Sequence, residues 1–177
     1  FYIAPKLNSI GRMDSAKVGL SFLMAEDASV AKSLAEQIEE YNVQRKEVTE
    51  NIVKDVIETI ENNDIKNKSV IMVSGDYHEG VLGIVASNIV EKYQRPVLIM
   101  NNKEGILKGS ARSVFDFNIY TAINKIGDKF IAYGGHTLAA GFSFDEQNFK
   151  EIEKALCDEF DEYKNNNELK STKNIDI

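Results

Sequence analysis

One apolar stripe limits what this chain can fold into more than any other feature. Ala31, Leu34, Ile38, Tyr41, Val48, Ile52, Val56 and Ile60 recur at steps of three and four, the spacing that places side chains on one face of an α-helix. Asp27 stands just ahead of the stripe, where an aspartate can cap a helix. The spacing predicts one helix over 28–62, roughly 50 Å long at a rise of 1.5 Å per residue. A rod of that length is too long for the interior of a small domain, so it reads as a connector between two bodies. A coiled-coil dimer is the alternative, but Arg45 occupies a seam position of the stripe.

The chain differs on either side of the rod. Residues 1–13, with Pro5 and a turn at Asn8-Ser9-Ile10-Gly11-Arg12, read as irregular, and Asp14 can cap a short helix to about Met24. Beyond Asn62-Asn63-Asp64, expected strands at 69–74, 96–100, 106–113 and 142–145 alternate with expected helices at 79–93, 118–126 and 146–163. This pattern predicts an α/β fold in which a mixed β-sheet is flanked by helices and preceded by the long connector helix. The expected domains are 1–26, 27–63, 64–163 and a polar tail or linker at 164–177. The composition is 43% hydrophobic and 28% charged, ordinary for a globular protein. No apolar run approaches the roughly 20 residues that span a bilayer, so no membrane partner is expected. The single cysteine, Cys157, rules out an intramolecular disulfide and reads as a small core residue. The chain starts Phe-Tyr-Ile-Ala-Pro rather than with Met, which points to a fragment.

The formal net charge is −7, which argues against an evenly basic surface that coats nucleic acid. The basic residues are concentrated. Lys92, Arg95, Lys103, Lys108 and Arg112 face only Glu104 between positions 92 and 112, whereas the region 142–162 is strongly acidic. A basic patch in an acidic chain fits a localised anion site; a solvated loop with scattered lysines is the plainer reading.

Two motifs could carry chemistry. Gly134-Gly135-His136-Thr137-Leu138-Ala139-Ala140-Gly141 reads either as backbone amides and an imidazole aimed at one point or as a tight turn before a packed helix. On the strand at 106–113, Lys108, Ser110 and Arg112 alternate onto one face. An ammonium, a hydroxyl and a guanidinium in register suit a phosphate, which Arg grips through two donors and Lys as a point charge. The plainer reading is a polar strand face in water. Gly75-Asp76-Tyr77-His78-Glu79-Gly80-Val81-Leu82-Gly83 invites a dinucleotide-binding reading, but His78 stands where the fingerprint requires glycine. Close helix packing is the expected role of Gly80, Gly83 and Ser87. No metal-ligand spacing is present.

Together these segments resemble the RecJ family of single-strand-specific exonucleases in the DHH phosphoesterase superfamily. The residues that carry the resemblance are Pro5-Lys6-Leu7-Asn8-Ser9-Ile10-Gly11-Arg12-Met13, Asn42 and Arg45 in the rod, and the His78–Ser87 run followed by Tyr93-Gln94-Arg95-Pro96. Gly109-Ser110-Ala111-Arg112-Ser113 and the Gly134–Gly141 segment complete it. Lys6 and Ser9 depart from the commoner Arg and Ala. The resemblance implies a phosphodiesterase that degrades single-stranded DNA 5′→3′ with Mn²⁺ or Mg²⁺, in DNA repair and recombination, in the cytoplasm. It implies that the metal ligands belong to an N-terminal DHH domain acting in cis outside this chain, so that this piece alone holds no metal and is inactive. It assigns His136 a catalytic place at the scissile phosphate. It gives phosphate binding to Lys108, Ser110, Arg112, Ser113, Gly134 and Gly135, with His78, Asn8 and Arg12 in support. A small phosphoesterase acting on nano-oligonucleotides or phosphoadenosine phosphate, and a non-catalytic nucleic-acid-binding module, are the alternatives.

Overall fold

The computed structural model describes residues 3–14 and 16–166. The chain opens with helix α1 (Ile3–Met13) where an irregular segment was expected. Pro5 lies in its first turn, where a missing amide is tolerated, and Ile10 is completely buried. Packing against the long helix α3 therefore overrides the turn signals of Pro5 and Gly11. Helix α2 (Lys17–Leu23) follows, buries none of its residues and has no side-chain cap. Asp14 instead accepts a hydrogen bond from the Tyr41 hydroxyl at 2.8 Å.

The predicted rod is α3 (Ala28–Asn62). The Asp27 carboxylate accepts from the amides of Ser29 and Val30 at 2.7 and 3.2 Å. Its carboxyl is held below the usual range, chiefly by the Ser29 hydroxyl. The first half of α3 packs on α1 and α2, and the second half on strand β1 (Ile71–Gly75) and helix α4 (Leu82–Tyr93). The stripe residues Ile38, Ile52, Val56 and Ile60 are buried within this one chain, so no second rod is needed to cover them. The Arg45 guanidinium donates to the side chain of buried Asn42 at 3.0 Å. Asn42 in turn donates to Glu39, whose carboxylate pairs with Lys6 of α1. The polar break in the stripe thus ties the rod to α1.

The remaining elements are β2 (Val97–Lys103), β3 (Ile106–Arg112), α5 (Ile119–Lys125), β4 (Ala132–His136), β5 (Ala139–Asp145) and α6 (Phe149–Asn166). The five strands form one sheet in the order β1-β2-β3-β5-β4, with β1 parallel to β2 and the other pairs antiparallel. This is the mixed sheet expected. The glycine-histidine segment is not a turn before a helix, however. It is edge strand β4, joined to β5 through Thr137-Leu138. Cross-strand pairing has overridden the turn signal of three glycines. The connection is pinned from outside: the Thr137 and Leu138 carbonyls accept from the Ile119 and Ser113 amides at 3.0 and 2.9 Å. The segment from 164 begins inside α6, and 167–177 lies outside the described residues.

Two cores lie on opposite sheet faces. On one, Leu98, Met100, Leu107, Phe142 and Phe144 pack with Ile123 of α5 and with Ile152, Leu156 and Phe160 of α6. On the other, Ile71, Val73, Val97 and Ile99 pack with Val85 and Ile89 of α4 and with Val56 and Ile60 of α3. Helix α4 rests on β2 and β3. No helix covers β5 and β4 on that face, and the open area matters below. Because Ile60 is fully buried where the rod meets the sheet body, Ile60→Ala should destabilise the fold by about 2–5 kcal/mol in urea unfolding. Val43→Ala, on the exposed side of the same helix, should change stability by less than about 0.5 kcal/mol.

Candidate nucleic-acid interface

Strand register brings the two motifs of the sequence onto one surface. Three rungs cross the sheet from β2 to β4: Val97–Arg112–Ala139–His136, Ile99–Ser110–Gly141–Gly134, and Asn101–Lys108–Ser143–Ala132. All of these side chains project to the α4 face, because alternation fixes the face once register is set. A Cβ added at Gly134 or Gly141 would meet nothing within 4 Å. The sheet between Arg112 and His136 is therefore a bare floor, two strand spacings or about 10 Å wide. Gly135 faces the other way, and its Cβ would run into Ala139 and Ala140; that glycine is required by the tight approach of β4 to β5.

Arg112 is half-buried between the sheet and the first turn of α4. Its Nη1 donates to Ser110 Oγ and to the Ala111 carbonyl, both at 2.8 Å. Its Nη2 lies 2.6 Å from where a Cβ of Gly83 would stand, and Ser110 Oγ 3.2 Å away. Gly83 is thus the notch that lets the guanidinium pass under the helix. Burial, and then the positive charge of Arg12, push the Arg112 guanidinium below its ordinary value. Arg12 comes from the far end of the sequence and sits at the end of α1, where its Nη1 donates to the Gly80 carbonyl at 3.2 Å. A Cβ on Gly80 would overlap the Arg12 carbonyl oxygen, so this glycine permits a backbone-to-backbone contact. Among the described residues neither guanidinium has a carboxylate partner. Two neighbouring cations without an anion make a site whose charge an anion would complete.

The other expected residues divide. Lys108 shares the face but is paired with Glu79 at 2.7 Å, and this contact is the main cause holding the Glu79 carboxyl low. Asn8 lies one turn before Arg12 on α1, on the same helix side. His136 is exposed at the end of β4. The Ser113 hydroxyl is buried and donates to the Phe117 carbonyl at 2.7 Å, which commits it to the loop after β3. His78 accepts from the Gly80 amide through Nδ1 at 3.2 Å, capping the turn into α4. The two histidines are held apart, since His78 follows β1 and His136 ends β4, the opposite edges of the sheet. Sequence reasoning missed the Arg12–Arg112 approach and the Glu79 partner of Lys108. The Arg12 contact rests on Gly80, which carries no local sign of a partner 68 residues away.

Among the described residues no group of three or more His, Cys, Asp or Glu side chains is placed to hold a metal ion. These residues do not fit the Mn²⁺ or Mg²⁺ that the resemblance implies, and no step through a metal is derived from them. Among the described residues no helix is long and apolar enough to cross a membrane. The two glycines make separable demands. Gly80→Ala forces backbone apart and should lower the melting temperature by several degrees. Gly83→Ala meets side-chain atoms, the movable end of Arg112 and the Ser110 hydroxyl, so it should leave the melting temperature within about 2 °C while weakening the binding of short phosphorylated oligonucleotides.

Comparison with known proteins places this surface in a lineage. A DHHA1 domain model matches residues 66–162. The single-stranded-DNA-specific exonuclease RecJ of Bacillus subtilis is 31% identical over 158 residues, covering 88% of this chain and 20% of that protein. RecJ of Haemophilus influenzae is 35% identical over 162 residues, covering 86% of this chain and 28% of that protein. The chain thus spans less than a third of the length of these curated relatives. The crystal structure of Thermus thermophilus RecJ in complex with Mg²⁺ superposes with a TM-score of 0.82 at 29% identity, over 92% of this chain and 25% of that one. A structure of CDC45 from Entamoeba histolytica, at TM-score 0.52 and 10% identity, shares the fold. The chain belongs to the DHHA1-domain family, and most of its length is similar to part of the RecJ exonucleases.

Proposed function

We propose that this chain supplies the DNA-binding wall of a metal-dependent 5′→3′ single-stranded DNA exonuclease acting in repair and recombination in the cytoplasm. The observation that carries the reading is the bare floor of Gly134 and Gly141, flanked by unpaired Arg112 and Arg12 on one side and His136 on the other. A phosphate laid on that floor meets the planar fork of Arg112 and a second guanidinium, and the Ser110 hydroxyl orients the fork. His136 then faces the neighbouring phosphate, where an imidazole can move a proton or stabilise developing negative charge. When bound, a divalent ion supplies an activated water and a Lewis acid. The metal ligands belong to a DHH domain outside these 177 residues, so the chain alone binds strands and does not cut them.

On this reading residues 1–26 complete the catalytic domain, 27–63 link the two bodies and 64–163 form the DHH-associated domain. The relatives match this chain well beyond residues 66–162. That extent includes helical residues outside the DHHA1 match, which favours the RecJ reading over a free-standing binding module or a small phosphoesterase.

Arg112→Ala should weaken binding of 5′-phosphorylated single strands and reduce the log–log salt slope by about 0.7, the loss of one phosphate contact. Arg112→Lys should restore binding only in part, since it keeps the charge and loses the fork. Filter binding at several salt concentrations checks both, and an unchanged slope would defeat the phosphate role. His136→Ala, tested in the longer protein that includes the metal-bearing domain, should lower turnover by about 10²-fold or more. Its strand affinity should stay within about threefold of wild type, because removing one exposed hydrogen-bonding contact costs about 0.5 kcal/mol. Wild-type turnover in a folded mutant would leave His136 a structural residue.

A further inference from the structure

Phe115 is the exception among the phenylalanines. Of those in the described residues it alone is exposed, at 37%, while Phe117, Phe130, Phe142, Phe144 and Phe160 are buried. It also has a backbone φ of 55°, a left-handed conformation that a bulky side chain adopts only against steric resistance. Strain of this kind persists where the surroundings over-determine it, and it concentrates at binding sites. The surroundings do so here. The Ser113 amide donates to the Leu138 carbonyl at 2.9 Å, the Phe117 amide to the Val114 carbonyl at 3.3 Å, and the Ser113 hydroxyl to the Phe117 carbonyl at 2.7 Å. The loop that holds Phe115 out is therefore fastened at both ends and to the β4–β5 connection. Leu138, in that connection, is itself 44% exposed.

Phe115 lies three residues beyond Arg112, at most about 10 Å along an extended chain. An exposed ring at that distance from a phosphate site matches the way single strands are gripped without sequence preference. Cations track the backbone, and aromatic faces stack on the bases. We infer that Phe115 is a nucleobase-stacking platform for a nucleotide next to the phosphate held by Arg112, with Leu138 as the adjoining apolar contact. The inference rests on the phosphate reading above and adds a base-recognition subsite to it. The Ser113 hydroxyl thereby acquires a role as well: it positions the loop rather than touching DNA.

The test compares 5′-phosphorylated single strands with matched strands that are abasic at successive positions near the 5′ end, titrated against this chain. Wild type should bind the strand with bases about tenfold more tightly than the abasic strand at one of these positions. Phe115→Asn removes the ring and keeps a residue that accepts the left-handed backbone, so the protein folds. It should abolish the preference for a base at that position and leave the abasic strand bound as before. Phe115→Trp should restore the preference. A wild-type preference that survives in Phe115→Asn overturns the stacking role and leaves the phosphate reading standing. Loss of base preference in Phe115→Asn together with unaltered binding in Arg112→Ala keeps the platform and removes the phosphate reading. No binding of either strand by wild type overturns both.

Discussion

The contact between the Arg12 carbonyl and the Cα of Gly80 is the constraint on which the candidate site depends. It joins the last turn of α1 to the turn that opens α4, beside the packing of Met13 on the cluster that includes Val81 and Leu82. No side chain fits between them, so the position can be filled only by glycine without moving one of the helices. Through this contact the Arg12 guanidinium reaches the Gly80 carbonyl and comes near Arg112. The Lys6–Glu39–Asn42–Arg45 chain fastens the other side of α1 to the rod. A helix held at both sides can present a cation with little conformational entropy left to lose on binding.

The second condition is the unequal cover of the sheet. One face is closed by α5 and α6 around a cluster of phenylalanines. The other is closed by α4 only as far as β3. The residues beyond that line are those a binding floor needs. Gly134 and Gly141 leave open space, and Ala132, Ala139 and Ser143 are small. An apolar residue in their place would be exposed without a partner, and a large one would fill the floor. Lys108 lies on the same face but is neutralised by Glu79, which confines the unpaired positive charge to the Arg112 end of the rungs. That asymmetry gives the floor a direction, from the two guanidiniums toward His136.

Much of this was legible in the sequence, and the reasons differ by element. The rod was readable because its stripe is long and its cap, Asp27, is local. The shared face of Lys108, Ser110 and Arg112 was readable because strand alternation needs no tertiary knowledge. The family resemblance agrees with the DHHA1 match over residues 66–162. Helix α1 was not readable, because its only fully buried apolar side chain, Ile10, is covered by a helix from elsewhere in the chain, and Pro5 and Gly11 speak locally for a turn. Strand β4 was missed for the same kind of reason. Ala-Tyr-Gly-Gly-His has almost no strand propensity of its own, and it is a strand because β5 pairs with it and the 113–119 loop holds its end. The Arg12–Arg112 approach depends on two tertiary contacts at once and leaves no trace in either local pattern.

The electrostatics reconcile an acidic chain with the DNA-binding wall proposed above. Salt largely screens the net charge of −7 at separations beyond a Debye length, about 8 Å at physiological ionic strength, so a polyanion approaching from farther away meets little repulsion. Within that distance the local field decides, and at the floor it is set by two guanidiniums that have no carboxylate partner among the described residues. A strand running along the surface at large therefore gains nothing, whereas a phosphate seated between Arg112 and His136 gains fully. Such a balance disfavours the sliding, salt-driven coating typical of evenly basic proteins and favours engagement at one point. For the proposed wall, whose task would be to hold one phosphate in register with chemistry on another domain, single-point engagement is the physically useful arrangement. The positive charge of Arg12 beside Arg112 works in the same direction, because an anion that bridges the two guanidiniums offsets the repulsion that Arg112 meets there.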